Sequence, residues 1–481
     1  MAEGLLALCA AGTTGRPNEH PGGVMGPSRT TRVELELPRA STLDTTRVIT
    51  TVAVPLVARG VLLRRPPVVA LAERLDADRR AVHLLQRLRA RYGPGPLRLR
   101  VPGRSVALVL SPEGVQQVLD GSPEPFAVAN REKRGALSHF QPHGVLVSHG
   151  QLRADRRQVN EAVLDSHRPV HRLAEAITAK VLDEARPLVP DGSSGSLAWD
   201  EFAVAWWRAV RRVVLGDAAR NDYELTDLLA RLRAAANWAS LRPKRTRIRA
   251  RFLRRLGVYL DEPEPGSLAE LVASTPSPAA TDPGGQVPQW LFAFDATGMA
   301  TFQTLALLAT HPAQLDRVHS ELAGTDLSAP QDLAYLRSCV QESVRLWPTT
   351  PAILRDTTWD SRVLPAGTAL VIFAPYFHRD DQRLPYADQF TPELWVDGRA
   401  QDNWSLVPFS AGPAECAGRN LALLVASTLL AALLERHEFH LTSPAPWSHD
   451  VRCQAPSTPS GCASRSPRAP RKAENSVTSN P

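Results

Sequence analysis

A chain of 481 residues is more than one small core needs, so either one large domain or two domains fit it. Hydrophobic residues at 43% and charged residues at 22% exclude a disordered polymer, and a net charge of +7, locally concentrated, fits a solvated basic surface rather than a nucleic-acid-binding protein. Five irregularly spaced cysteines without a CxxC pair exclude a disulfide framework or a clustered metal site, and fit a reducing interior such as the cytoplasm.

In chain order, residues 1–44 are rich in Gly, Pro, Thr and Arg and are expected to form a flexible extension. The best apolar stretch near the start, 48–63, is short and holds Pro55 and Arg59, so neither a signal peptide nor a membrane anchor is expected. Leu84, Leu85 and Leu88 stand at helical spacing within 72–92, which Gly93-Pro94-Gly95-Pro96 stops. Alternation over 97–101, a Pro102-Gly103 turn and an apolar return over 106–110 predict a hairpin, with a short helix from Pro112 to Val118. Helical text fills 152–188 and 199–215. Eight basic residues without an acid fill 242–255, read as a solvated helix face, and loop text covers 266–288. The longest apolar helix is predicted over 290–310, ended by His311-Pro312. Helices over 312–323 and 333–346, short strands at 352–354 and 369–373, and an apolar helix over 419–435 follow. The Ser/Pro/Arg text beyond Pro444 is expected to be a disordered or aberrant tail, 445–481, which leaves 45–444 as the folded domain.

One phrase carries the chemistry: Pro408-Phe409-Ser410-Ala411-Gly412-Pro413-Ala414-Glu415-Cys416-Ala417-Gly418, a lone cysteine between glycines ahead of an apolar helix. Such a turn brings backbone N–H groups and a helix N-terminus toward the sulfur, which favours the thiolate. A thiolate is a soft ligand suited to iron. On the helix 333–346, Glu342 and Arg345 stand three apart on one face and can pair. The central helix carries Asp295 and Thr297 within an apolar run.

With His378-Arg379-Asp380 and Phe390-Thr391-Pro392-Glu393 between these motifs, the sequence over 72–442 resembles the cytochrome P-450 family, in its soluble bacterial-type members. The cysteine phrase is the most specific part. The resemblance implies a mainly α fold with small β-sheets and haem b, iron protoporphyrin IX, between the long central helix and the cysteine loop. By the same resemblance Cys416 would hold the iron, Phe409 would pack near the sulfur, Gly412 would permit the turn and Gly418 would let the helix approach the porphyrin. Glu342 and Arg345 would fix the fold behind the haem. Arg153, Arg157 and Arg355 match positions that meet the haem propionates. Asp295 matches the acid of a proton relay. Ala296 stands where the relay hydroxyl is usual, and Thr297 is one place late, about 100° round the helix; Thr297 and Gly298 would still allow a local opening that holds a water.

The implied function is a monooxygenase that activates dioxygen and hydroxylates a small lipophilic substrate. Electrons would come from a separate ferredoxin-type donor with its reductase, in the cytoplasm, without nucleic acid or a stable membrane anchor. Ala296 points to an alternative, peroxide-driven or non-oxygenating haem-thiolate chemistry. The text after Leu441, unlike the family's final strands, points to another, a catalytically impaired haem protein whose tail forms no strand. Leu394 stands where a third charge usually joins Glu342 and Arg345, so His378 is expected to substitute. Pocket walls are expected from 126–145, from Phe294 to Thr297 and from 349–354.

Overall fold

The computed structural model describes residues 37–189, 195–239, 242–360, 364–441 and 462–465. The folded body begins ahead of residue 45, where the sequence placed its boundary. Ala40 is fully buried, Arg39 bridges to Arg98, and Ser41 caps the helix Thr42–Val48 by accepting the Asp44 amide at 3.0 Å. The predicted helix over 72–92 is two helices, Pro66–Arg74 and Ala77–Tyr92, because Asp76 takes a left-handed φ of 50° between them.

Among the described residues eight strands follow: β1 Leu97–Leu99, β2 Val106–Leu108, β3 Phe126–Ala127, β4 Gly195–Leu197, β5 Ala352–Thr357, β6 Ala369–Phe373, β7 Glu438–Leu441 and β8 Cys462–Arg465. The predicted β1–β2 hairpin forms, with Leu97 opposite Leu108, and leads into a five-stranded sheet ordered β1-β2-β6-β5-β3. Along β5 alternate residues are buried, so Arg355 shares the inward face with Ile353 and Thr357. The second sheet is ordered β4-β8-β7, with β8 antiparallel to both neighbours. This corrects the expectation that no strand forms after Leu441. A middle strand needs only backbone N–H and C=O groups for its two neighbours, and polar text supplies those as well as apolar text does. The rest of the stretch beyond Pro444 lies outside the described residues.

Helical text over 152–188 resolves into Gly150–Val163 and Ala174–Ala185. The basic run lies mostly on the helix Thr246–Asp261, and it is not simply a solvated face. Phe252 and Leu256 are buried, and Arg251 and Arg255 pair with Glu224 of the helix Tyr223–Ala236 and with Asp222, which caps it. The central helix, Val287–Leu308, starts three residues earlier than expected, with Pro288 in its first turn, and ends ahead of His311-Pro312. It packs against Trp199–Leu215, Ala334–Leu346 and Arg419–Leu434. Its buried Thr301 and Thr304 return their hydroxyls to the carbonyls of Thr297 and Ala300, so they need no outside partner. Among the described residues this is the one helix long and apolar enough to cross a membrane, and most of it is buried.

Candidate functional site

The cysteine loop is held at both ends. At its start, the Val407 amide donates to Nε2 of the buried His378 at 3.1 Å, and Nδ1 of the same ring donates to the Arg345 carbonyl at 3.0 Å. Within the loop, Gly412 takes a φ of 67°, and a Cβ there would lie 2.5 Å from the Leu119 carbonyl oxygen. The Cys416 amide then closes the turn on the Phe409 carbonyl at 3.0 Å. Beyond the cysteine, Ser166 donates to the Ala417 carbonyl at 2.7 Å and Asn420 to the Ser166 carbonyl at 2.9 Å. A side chain at Gly418 would meet only Leu164, at 3.8 Å.

Cys416 lies deep, where burial pushes its thiol up against the opposing Gly418 amide and the Arg157 charge. The sequence reading expected the turn to favour the thiolate. One amide and nearby cations do not outweigh the cost of a desolvated anion, so an uncoordinated sulfur here is a thiol. Yet the side chain is open to solvent. The helix after the loop packs on the central helix, which leaves Ala293, Ala296 and Thr297 partly uncovered while Phe294, Gly298 and Ala300 are buried.

Glu342 and Arg345 are both fully buried and paired, at 2.7 and 2.8 Å. Arg345 also donates to the carbonyls of His378, Ala387 and Gln389 at 2.7, 2.9 and 2.7 Å. The place of the missing third charge is taken by Trp395, one residue past Leu394, whose indole donates to Glu342 at 2.9 Å, and by the Thr391 amide, also at 2.9 Å. His378 therefore does not substitute on the Glu342 carboxylate as expected; it serves the backbone of Arg345 and of the cysteine loop.

Burial, reinforced by Arg345, lowers the His378 pKa from 6.5 to about 3. Below pH 6.5 the unfolded chain binds a proton that the folded protein refuses, so stability is lost as pH falls from that value toward about 3. Protonating Nε2 would also break its bond to Val407. The expected loss is about 1.4 kcal/mol per pH unit through the middle of this window. Urea midpoints between neutral pH and mild acid should show that slope in the wild type and a shallower one in His378→Gln.

Two buried arginines, Arg153 and Arg355, and the half-buried Lys133 face the loop from the sheet side. Arg355 donates to Ser122 at 2.9 Å, to the Leu354 carbonyl at 3.1 Å and to Ser410 of the cysteine loop at 3.4 Å. Lys133, on the helix Arg131–Leu137, donates to the carbonyls of Val128 and Leu354 at 3.1 and 3.3 Å. Arg153 has a buried Nε with no partner. Burial, then Arg153, brings the Arg355 pKa down to about 10; burial, then Arg355, holds Lys133 well below its usual range. Among the described residues none of the three has a carboxylate within ion-pair distance, and the nearby Asp356 is paired with Arg104 at 2.8 Å. Buried charge without a counter-ion is costly, so this cluster is built for an anion that the chain does not supply. Two carboxylates on a planar, apolar ring system beside Cys416 meet that need, and a haem fits.

Sequence reading placed Arg153 and Arg355 in this cluster but missed Lys133. It also placed Arg157 there. Arg157 instead pairs with Glu161 at 2.6 Å and donates to the Glu415 carbonyl at 2.6 Å, so its charge is already compensated and it clamps the cysteine loop.

Asp295 does not stand free as a proton carrier, because it is paired with the buried Arg233. The Thr297 hydroxyl returns to the Ala293 carbonyl at 3.3 Å. Nor is there an opening at Gly298. A Cβ there would lie 2.6 Å from Nε1 of Trp206, whose indole donates to the Phe294 carbonyl at 2.9 Å. The indole takes the space where a water was expected.

A cytochrome P450 family model matches residues 287–455, the stretch that holds the central helix, Glu342, Arg345 and Cys416. Cytochrome P450 4c3 of Drosophila melanogaster is 31% identical over 159 residues, 30% of each chain. The cyclooctat-9-en-7-ol 5-monooxygenase of Streptomyces melanosporofaciens is 32% identical over 170 residues, 32% of this chain and 37% of that one. The chain thus spans about a third of the length of the curated relatives it matches. A crystal structure of a cytochrome P450 (CYP102L1) superposes with a TM-score of 0.63 at 18% identity, over 80% of this chain and 94% of that one. That likeness is one of fold.

Proposed function

We propose that this chain is a cytochrome P450, a haem-dependent monooxygenase acting on a small lipophilic substrate; its fold and the family match over residues 287–455 support the reading. The observation that carries the reading is the solvent-open side chain of Cys416 in a loop faced by cations, Arg355, Arg153 and Lys133, that have no carboxylate partner among the described residues. Cys416 would hold a haem, and that group would supply the activation of dioxygen and the insertion of one oxygen atom into the substrate.

The chain's own residues do the rest. Cys416 would give up its proton on binding iron, which would offset the burial that otherwise keeps it a thiol. Arg153, Arg355 and Lys133 would receive the two propionates and set the ring's tilt and rotation. Ala293, Ala296 and Thr297 present small side chains on the open face of the central helix, which leaves room for an apolar substrate and excludes water. With Ala296 lacking a hydroxyl and Asp295 held by Arg233, proton delivery falls to the Thr297 hydroxyl, which must leave the Ala293 carbonyl to take part. Electrons from a separate ferredoxin-type donor with its reductase, and a cytoplasmic setting, belong to the same reading.

The test is the reduced, carbon-monoxide-bound spectrum of the purified protein and of Cys416→Ser. The wild type should show the red-shifted Soret band of thiolate ligation and the variant should lose it. Freshly prepared wild type without that band would overturn the reading.

A further inference from the structure

The central helix carries three threonines, and each turns its hydroxyl back to the carbonyl one turn earlier. Thr301 and Thr304 have no solvent exposure and make short bonds, at 2.8 Å to the Thr297 carbonyl and 2.7 Å to the Ala300 carbonyl. Thr297, on the open face, reaches the Ala293 carbonyl only at 3.3 Å. That is long for an O–H···O bond, so the Thr297 hydroxyl is the loosely held one.

A helical threonine can bond the carbonyl three residues back as well as the one four back. For Thr297 the second choice is Phe294, and that carbonyl is already full. It accepts from the Gly298 amide within the helix, and the Trp206 indole donates to it at 2.9 Å. The indole is wedged in place. It is 1% exposed, stacks 6.0 Å from the Phe202 ring, lies 6.3 Å from the Phe294 ring, and rests its edge on Gly298, where a Cβ would stand 2.6 Å from Nε1. Phe202 in turn packs on Phe302 at 5.0 Å. Phe294, Gly298 and Phe302 are spaced by four and form one stripe of the central helix, about half a turn round from Ala296. Trp206 therefore acts on this helix from behind the open face.

We infer that Trp206 is a positioning residue for Thr297: by holding the Phe294 carbonyl from the far side of the helix, it leaves the Thr297 hydroxyl with one weak bond and free to relay protons on the open face. This rests on the monooxygenase reading and deepens it. Without the indole N–H, the Phe294 carbonyl becomes a second acceptor for Thr297. The hydroxyl must then break a full hydrogen bond before each proton it carries.

The experiment uses haem-loaded protein with hydrogen peroxide and guaiacol as probes, which need no electron donor. Two guaiacols each give up one hydrogen atom, the O–O bond breaks and two waters form. On the way a proton must pass from one peroxide oxygen to the other, the task assigned to Thr297. Trp206→Phe should slow the reaction about three- to tenfold, the weight of one extra neutral hydrogen bond, and Thr297→Val about tenfold or more. In the Thr297→Val background Trp206→Phe should add nothing. Thermal unfolding of the haem-free chain gives a reading that does not depend on activity. Thr297→Val should lower Tm less than Thr301→Val does, and by about 1–3 °C more in the Trp206→Phe background than in the wild type. An unchanged rate in Trp206→Phe, a loss that persists in the Thr297→Val background, or a Thr297→Val chain that melts as low as Thr301→Val overturns the inference. The last comparison stands whether or not Trp206→Phe folds. Wild type that shows the thiolate band with carbon monoxide but oxidises no guaiacol also overturns it, whereas loss of the band itself is a failure of the haem-thiolate reading.

Discussion

Glu342→Ala is expected to yield almost no folded, haem-loaded protein, with a loss of about 3–5 kcal/mol against a typical total of about 5–15. The carboxylate accepts from Arg345, from the Thr391 amide and from the Trp395 indole in a site with no solvent exposure. Removing it strands the Arg345 charge in the interior and leaves two further donors unpaired. Arg345 cannot turn to water, because three carbonyls from the segment at His378 to Gln389 hold its other side. That segment positions His378, and His378 positions Val407 at the start of the cysteine loop. The damage therefore reaches the loop that carries Cys416 through two connected hydrogen bonds. Trp395→Phe removes one neutral donor from the same carboxylate and should cost only about 1–3 kcal/mol, so its product should fold. Yield of soluble protein, and urea midpoints for the variants that fold, measure both. A normal yield of Glu342→Ala would show that the pair is not what holds this region.

The cysteine loop and the Glu342/Arg345 pair were readable because each is local. A cysteine between glycines, or an acid and a base three apart on one helix face, is visible in a few consecutive letters. The helix-rich body and the β1–β2 hairpin were readable for the same reason, through period and turn chemistry. What could not be read depends on side chains far apart in sequence. Trp395 replaces the missing third charge because an indole one residue past Leu394 reaches the same carboxylate. Trp206 fills the space at Gly298 from a helix that ends more than eighty residues earlier. Arg157 differs from Arg153 not in its own letter but because Glu161 follows one turn later and neutralises it; that i,i+4 signal was present in the sequence. Strand β8 was missed because a polar middle strand is defined by its neighbours' backbones.

Arg355→Met should release haem about ten to a hundred times faster than wild type, from the loss of about 1.5–3 kcal/mol of charge-assisted hydrogen bonding. The same substitution should stabilise the haem-free protein. Without haem Arg355 is a buried cation beside Arg153, without a carboxylate, and its lowered pKa records the strain of holding that charge. Methionine removes the charge and keeps much of the volume. Lys133→Met should act in the same direction on both quantities, and more weakly on haem release, because a lysine offers a point charge rather than a planar fork. Opposite signs for the empty and loaded protein are what distinguish a cation kept for an anionic ligand from one kept for the fold. Arg157→Met supplies the contrast: its partners Glu161 and the Glu415 carbonyl are present with or without haem, so it should weaken both forms. Haem transfer to an acceptor protein gives the release rate, and thermal unfolding of the haem-free chain gives the other half. A haem-free Arg355→Met protein that melts below wild type would mean that the three cations serve the scaffold and that the propionates are bound elsewhere.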